Sequence, residues 1–405
     1  MTKKNLFLKN HIQNKYLKYN VLNRFYKNFQ KVKNSINNDI KSPNKTLHVL
    51  NSKFKFNFKI NELKKFRKFK TIAIIGMGGS ILGTEAIYNF LNKKIKKRVF
   101  FFNDLNEKKI KDFKKKENLN KVLFLIISKS GNTVETLSNT FSFDIIKKNA
   151  KNIILISEKK NNPLFSLSQK FNLFYVEHKS HIGGRYAVLS EVGIIPAYLM
   201  GVNILKLRSG IQKFLRNKEM LFLKDSSIKL ACLINSKKIN NLIFLCYSPE
   251  LEKFLFWCQQ LIAESLGKND KGFLPIISNV PKDHHSLLQL YLDGPKDKLF
   301  HIFSFEEKSK EKINIPKAMR ANKFLNKKNI NTIKIAQKNA LIATFKKNKI
   351  PFREFKIKDI NEEVLGNLFT YFMLETVIIG KLIKINPYNQ PAVEQVKVKT
   401  KKLIS

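Results

Sequence analysis

The chain has 405 residues, 43% of them hydrophobic, enough for two or three domains with buried cores. Its cysteines, Cys232, Cys246 and Cys258, are odd in number and lack metal-type spacing, which argues against a disulfide framework or a structural metal module and fits a reduced, cytoplasmic setting. A formal charge of +47 raises nucleic-acid binding, but only eight of the 77 basic residues are arginine, and lysines scattered as in Lys64-Lys65 and Lys114-Lys115-Lys116 describe a solvated surface, not a base-reading one.

Residues 1–66 are polar and lysine-rich, with apolar residues at mixed spacing. They read as a helical segment of short helices ending in a linker near Ser42-Pro43. The start leads into no sustained apolar run, so no signal peptide is expected. A βα rhythm then begins, with strands predicted at Thr71–Ile75, Val99–Phe102, Val122–Ile127 and Ile153–Ile156 and helices between them. One helix is predicted over Thr133–Lys148, capped by Asn132, with Glu135 completing a capping box. A second block starts near Asn241, with a strand at Leu242–Cys246. Ser248-Pro249-Glu250 follows as an N-cap, N1 proline and early acid, opening a helix to Leu266 that stops at Gly267. Strands at Leu299–Phe303 and Phe352–Ile357 flank a helix over Gln337–Lys347, and a long helix spans about Glu362–Ile383. The apolar stretch from Leu368 to Ile385 is interrupted by Glu375 and Lys381 and reads as a buried helix, not a membrane span. The fold class is therefore α/β, with parallel sheets flanked by helices.

Two loops follow apolar strands about fifty residues apart. The first contains Gly76, Gly78, Gly79, Ser80 and Gly83; the second reads Ser128-Lys129-Ser130-Gly131-Asn132-Thr133. A strand that ends in such a loop and opens a helix offers free N–H groups and a positive dipole end, which is an anion site. Two of them point to a phosphorylated small molecule held between. Taken alone, the first loop also fits a dinucleotide fingerprint or a tight turn, and the second an ordinary capped turn. Gly183-Gly184-Arg185-Tyr186 places a rare arginine behind two glycines, where a guanidinium can meet a developing oxyanion or merely make a surface ion pair. Gln260 and Glu264, four apart, share a helix face. The apolar context of Glu264 suits it to general-base work, although a lone helical glutamate is more often solvent-facing. His284 and His285 are adjacent and point apart, so no shared metal is expected. Lys397 closes a polar, proline-bracketed loop, Asn386-Pro387-Tyr388-Asn389-Gln390-Pro391-Ala392-Val393-Glu394.

In this order the segments resemble the phosphoglucose isomerase family. The pieces are the Gly-Gly-Ser loop, Ser-Lys-Ser-Gly-Asn-Thr, Gly-Gly-Arg-Tyr-Ala-Val-Leu-Ser, Ala-Glu-Ser-Leu-Gly-Lys, His-Ser and Asn-Pro-Tyr-Asn-Gln-Pro-Ala-Val-Glu, spread from Gly76 to Lys397. The resemblance implies two sugar-isomerase domains, expected over residues 67–215 and 216–385. A C-terminal segment, 386–405, would complete the site, and the chain would pair as a homodimer. It implies reversible conversion of glucose 6-phosphate to fructose 6-phosphate in glycolysis and gluconeogenesis, with no metal or organic cofactor. By motif, Ser128, Lys129, Ser130 and Thr133 would hold the phosphate. Gly79 and Ser80 would line the sugar site, and Gln260 and Gln390 would border it. Glu264 would be the base and Arg185 the enediolate stabiliser. His285, reaching in from the neighbouring subunit, and Lys397 would assist ring opening. Asn132 stands where a hydroxyl residue is common, and Ala392 and Val396 where glycine is common. Competing readings are an isomerase that also accepts mannose 6-phosphate, a sugar-phosphate-binding regulator, and a charge-driven nucleic-acid binder.

Overall fold

The computed structural model describes residues 6–216, 219–305, 311–316 and 324–404. Among these residues ten strands form two sheets: β1 Leu6–Asn10, β2 Thr71–Gly76, β3 Arg98–Phe102, β4 Val122–Ile127, β5 Ile153–Ser157, β6 Phe174–Glu177, β7 Asn241–Cys246, β8 Leu274–Asn279, β9 Lys298–Phe305 and β10 Phe352–Ile357. The first sheet is wholly parallel, in the order β3-β2-β4-β5-β6. Its central strands β2 and β4 are buried at every position, so they read as unbroken apolar runs. The chain leaves β2 towards β3 on one side and returns to β4 on the other. The crevice beyond their carboxyl ends is thus a topological switch point, where open α/β sheets bind ligands.

The second sheet runs β1-β10-β9-β7-β8, parallel except for β1, which pairs antiparallel with β10 from Leu6↔Ile357 to Asn10↔Arg353. The N-terminal segment thus supplies an edge strand and is not only helical. Nor are its helices all short: Tyr19–Lys41 is one helix of 23 residues, buried along Phe25, Phe29, Val32, Ile36 and Ile40. That stripe has helical spacing; neighbouring exposed aromatics such as Tyr19 blur it in the linear sequence. The helix ends against Ser42, where the linker was expected.

Other departures are local. The helix after the second loop covers only Val134–Ser142, because Asp144 takes a left-handed conformation at φ 53° and lets Phe143 and Ile145 turn into the core. Asn132 does not cap it. Thr133 occupies the N-cap position, its hydroxyl 2.9 Å from that of Ser128. Ser248 likewise leaves its helix uncapped: its Oγ accepts from the Phe305 N–H at 2.8 Å, and Pro249–Leu251 form a 3-10 turn before the Glu252–Leu266 helix.

The Glu362–Leu382 helix is long and apolar enough to cross a membrane by composition, but it is buried nearly throughout the fold. A bidentate ion pair lies within this core. Arg353 of β10 meets Glu375 at 2.6 and 3.0 Å, and Tyr371 and Ser226 complete the network. Removing one partner leaves the other charge buried and uncompensated. Arg353→Met is therefore expected to cost about 3–5 kcal/mol in denaturant unfolding, whereas a surface substitution such as Lys31→Met stays within about 0.5 kcal/mol.

Candidate active site

The two glycine-bearing loops emerge side by side from β2 and β4, since Gly76 pairs with Ile127 in the sheet register. The first turns through Gly78–Ser80 and opens the Leu82–Phe90 helix. It is pressed so closely on the Gly183-Gly184 segment that a Cβ at Gly79 would lie 2.2 Å from the Gly184 carbonyl carbon. Only a glycine permits that approach. Ser80 is buried beside it. In the second loop Gly131 has φ +67°, and a Cβ there would lie 1.8 Å from Asn162 Oδ1. Ser128 is buried, Thr133 half-buried and Ser130 exposed, so their hydroxyls grade from sheet to solvent. Lys129 donates to the Ser180 carbonyl at 2.7 Å and stands 3.6 Å from Glu158. Burial lowers its pKa, with Glu158 acting in the opposite sense.

Arg185 is 1% exposed and occupies the centre. Its Nε donates to Ser265 Oγ at 2.8 Å. One terminal nitrogen donates to Glu264 Oε2 at 3.1 Å and Gln390 Oε1 at 2.8 Å, and the other to the carbonyls of Pro387 at 2.7 Å and Asn389 at 3.1 Å. All five guanidinium N–H groups thus have partners, which is what makes a buried arginine tolerable. Tyr186 reinforces the junction, its hydroxyl lying 2.9 Å from Ser265 Oγ and donating to Pro387 O at 3.1 Å.

Glu264 lies in the last turn of the Glu252–Leu266 helix, which packs on the Leu82–Phe90 helix behind the first loop. Its second carboxylate oxygen accepts from Gln260 Nε2 at 3.0 Å, the four-residue spacing working as expected. The apolar sequence around Glu264 does not enclose it, because its side chain remains 30% exposed and faces the crevice as a held but reachable carboxylate. Gln260 Oε1 is buried without a partner, an acceptor left for something else.

Gly79, Gln260, Glu264, Arg185 and Gln390 are therefore brought together, with Ser80 and the second loop alongside. His285 and Lys397 are not. His285 is exposed near the start of the His284–Asp293 helix, while His284 meets the Tyr247 hydroxyl at 3.2 Å. Lys397 pairs with Glu394 at 2.7 Å on the Val393–Ile404 helix, which is exposed throughout, its apolar Val396 and Leu403 included. No group of His, Cys, Asp or Glu suited to a metal occurs among the described residues.

Residue-by-residue reading of the sequence missed three supports of this site: Ser265, the backbone carbonyls of Pro387 and Asn389, and Lys268. Lys268 Nζ donates to Ser265 O at 3.0 Å and Asn386 O at 2.7 Å, strapping the C-terminal segment to the end of the Glu264 helix. Ser265 and Lys268 share the six-residue motif with Glu264, which was their only signal.

The fold and the site together define an α/β protein of the phosphosugar-isomerase class. The family model for phosphoglucose isomerase matches residues 43–273. A glucose-6-phosphate isomerase of Methanocaldococcus jannaschii is 32% identical over 84% of this chain and 85% of its own length. A probable glucose-6-phosphate isomerase of Methanococcus maripaludis is 33% identical over 86% of this chain and 81% of its own. Among solved structures, a hypothetical protein from Thermus thermophilus covers 99% of this chain and matches over 100% of its own length at TM-score 0.83 and 23% identity. A glucose-6-phosphate isomerase from Chlamydia trachomatis matches at TM-score 0.69 and 18% identity, over 85% of this chain and 71% of its own. The chain belongs to the phosphoglucose isomerase family.

Two outcomes follow from the packing. Gly79→Ala forces the first loop off the Gly184 backbone, and turnover should fall by at least about tenfold with little change in the far-UV spectrum. The Lys268 pKa is lowered to about 8, by burial first and by Arg185 second. Its folded pKa lies below the unfolded 10.5, so the charged form costs stability at neutral pH, a cost relieved as pH rises from about 8 towards 10.5. The charged strap itself is lost over the same rise. A kcat–pH profile should show an alkaline limb near pH 8 that Lys268→Met lacks, the variant having a low kcat at all pH and a KM altered less.

Proposed function

We propose that this chain interconverts glucose 6-phosphate and fructose 6-phosphate by proton transfer through a cis-enediol, in glycolysis and gluconeogenesis. The observation that carries the assignment of roles is the Glu264 carboxylate held 3.1 Å from a fully buried Arg185 at the mouth of two loops suited to phosphate. A C–H beside a carbonyl is a weak acid. It ionises only when a base is positioned against it and the developing oxyanion meets fixed positive charge. In this reading Glu264 removes the C2 proton of the open-chain aldose and returns it to C1. Arg185 stabilises the enediolate oxygens, and its donors cost no reorganisation because the fold already fixes them. A carboxylate base beside an electrophilic group is the division of labour in triosephosphate isomerase.

The phosphate is assigned to Ser128, Lys129, Ser130 and Thr133, supported by their position at the carboxyl end of β4 and by the helix that starts there. Gly79, Ser80, Gln260 and Gln390 border the sugar, and the unpartnered Gln260 Oε1 suits a substrate hydroxyl. His285 and Lys397 are assigned to ring opening. The exposure of His285 favours service to the site of a second copy in a homodimer. The proposed setting is cytoplasmic, with no membrane or nucleic acid as partner.

The test is a coupled assay of purified protein with fructose 6-phosphate. Wild type should form glucose 6-phosphate. Glu264→Gln should bind the sugar phosphate yet lose about 10²–10⁴ in kcat. A variant that kept near-normal turnover would refute the base, and a folded wild type that bound but did not turn over would favour a regulator. Lys129→Ala should raise KM more than Lys115→Ala does; equal effects would mean bulk charge, not the loop, captures the phosphate.

A further inference from the structure

At the end of the first sheet opposite the candidate active site lies a cleft of about 1240 Å³. Its floor is formed by the amino ends of the strands, at Phe69 and Thr71 before and in β2, Arg98 of β3 and Asn152 before β5. Its lysines come from three stretches of the chain: Lys68 and Lys70 ahead of β2, Lys116 and Lys121 on either side of the turn into β4, and Lys147, Lys148 and Lys151 ahead of β5. All seven are exposed, and among the described residues none pairs with a carboxylate. Of the two acids in the lining, Glu117 is held by Arg98 at 2.7 and 2.8 Å, leaving Asp144 alone to oppose seven ammonium groups. Lys116 has a local reason to be there, offsetting the carboxyl-terminal dipole of the Glu107–Lys116 helix. Lys68 and Lys121 likewise close the short 3-10 helices Lys64–Lys68 and Leu119–Lys121; the other four lie on turns and strand leads, where no such reason applies.

Concentrating like charges round one concavity is unfavourable unless an anion is present, and a low-dielectric wall strengthens the field inside. We propose that this cleft binds a chain of linked phosphates, the chemistry shared by inorganic polyphosphate and the triphosphate of a nucleotide. A cleft of about 1240 Å³ is far larger than one phosphate or carboxylate, whereas a linear run of phosphates can span the stretches that carry its lysines. The lining does not suit nucleic acid. Its only aromatic residue, Phe69, is 9% exposed and offers no face for a base, and lysines act as point charges without the fork that reads base edges. The site stands apart from the proposed catalysis, roughly 20 Å away along strands of six residues.

The test is calorimetric titration with tripolyphosphate at two salt concentrations, using three full-length proteins. These are wild type, the quadruple variant Lys116→Gln/Lys121→Gln/Lys147→Gln/Lys151→Gln, and a control with the same charge loss elsewhere, Lys31→Gln/Lys206→Gln/Lys238→Gln/Lys347→Gln. Isomerase turnover reports folding and should be unchanged in both. The cleft variant should bind more than about tenfold more weakly than wild type, and the control within about twofold. Equal weakening in the two variants would overturn the proposal in favour of bulk charge, as would saturation by inorganic phosphate at the same concentration. A nucleoside triphosphate that binds like tripolyphosphate shows that phosphates alone are read; one that binds tighter identifies the nucleotide as the source. A single-stranded RNA that outcompetes tripolyphosphate overturns the proposal.

Discussion

The buried Arg185 guanidinium is the interaction on which the rest of the site depends. It joins three parts of the chain that are otherwise unconnected locally: its own glycine-led segment, the end of the Glu252–Leu266 helix, and the Pro387–Gln390 segment. Burying a charge is costly unless every donor is used, and here each of the five is. The same bonds that make burial tolerable fix the position of the charge. Preorganised charge is what stabilises an oxyanion without reorganisation during the reaction. Stability and function therefore rest on one set of contacts, reinforced by Tyr186 and by the Lys268 strap.

The two sheets contribute unequally. The first provides the ligand crevice through the loops after β2 and β4, at its switch point. The second contributes through a helix that leaves β7 and runs back along the first unit, so that Glu264 arrives from its last turn and not from a strand end. Two helices packed face to face hold a carboxylate more exactly than a loop would. Gln260, one turn earlier on the same helix, then sets the carboxylate's orientation.

Much of this was legible in the residues themselves. Central parallel strands are buried on both faces, so β2, β4 and β7 appear as nearly continuous apolar runs and are placed almost to the residue. Edge strands carry a weaker signal. β6 has mixed burial, β8 alternates irregularly, and β1 exists only because β10 offers it an edge some 350 positions later. The cap predicted at Ser248 fails because the Phe305 N–H takes the same side chain, and the one predicted at Asn132 fails because the helix starts one residue later, with Thr133 at the N-cap position. Of the site, the residue types and their order were readable, while the carbonyls that receive Arg185 carry no side-chain signature at all.

The amino-acid sequence by itself determined the α/β alternation, the two anion-suited loops and the identity of a carboxylate, an arginine and two amides able to share a site. Those follow from periodicity, backbone freedom at glycine and chemical type, all of which are local. Only the tertiary structure decided that Gly79 must touch Gly184, that Glu264 meets Arg185, and that Lys397 and His285 stand outside the cluster within one chain. Those are distances between residues far apart in sequence. They are set by which faces pack together, and no local pattern encodes them.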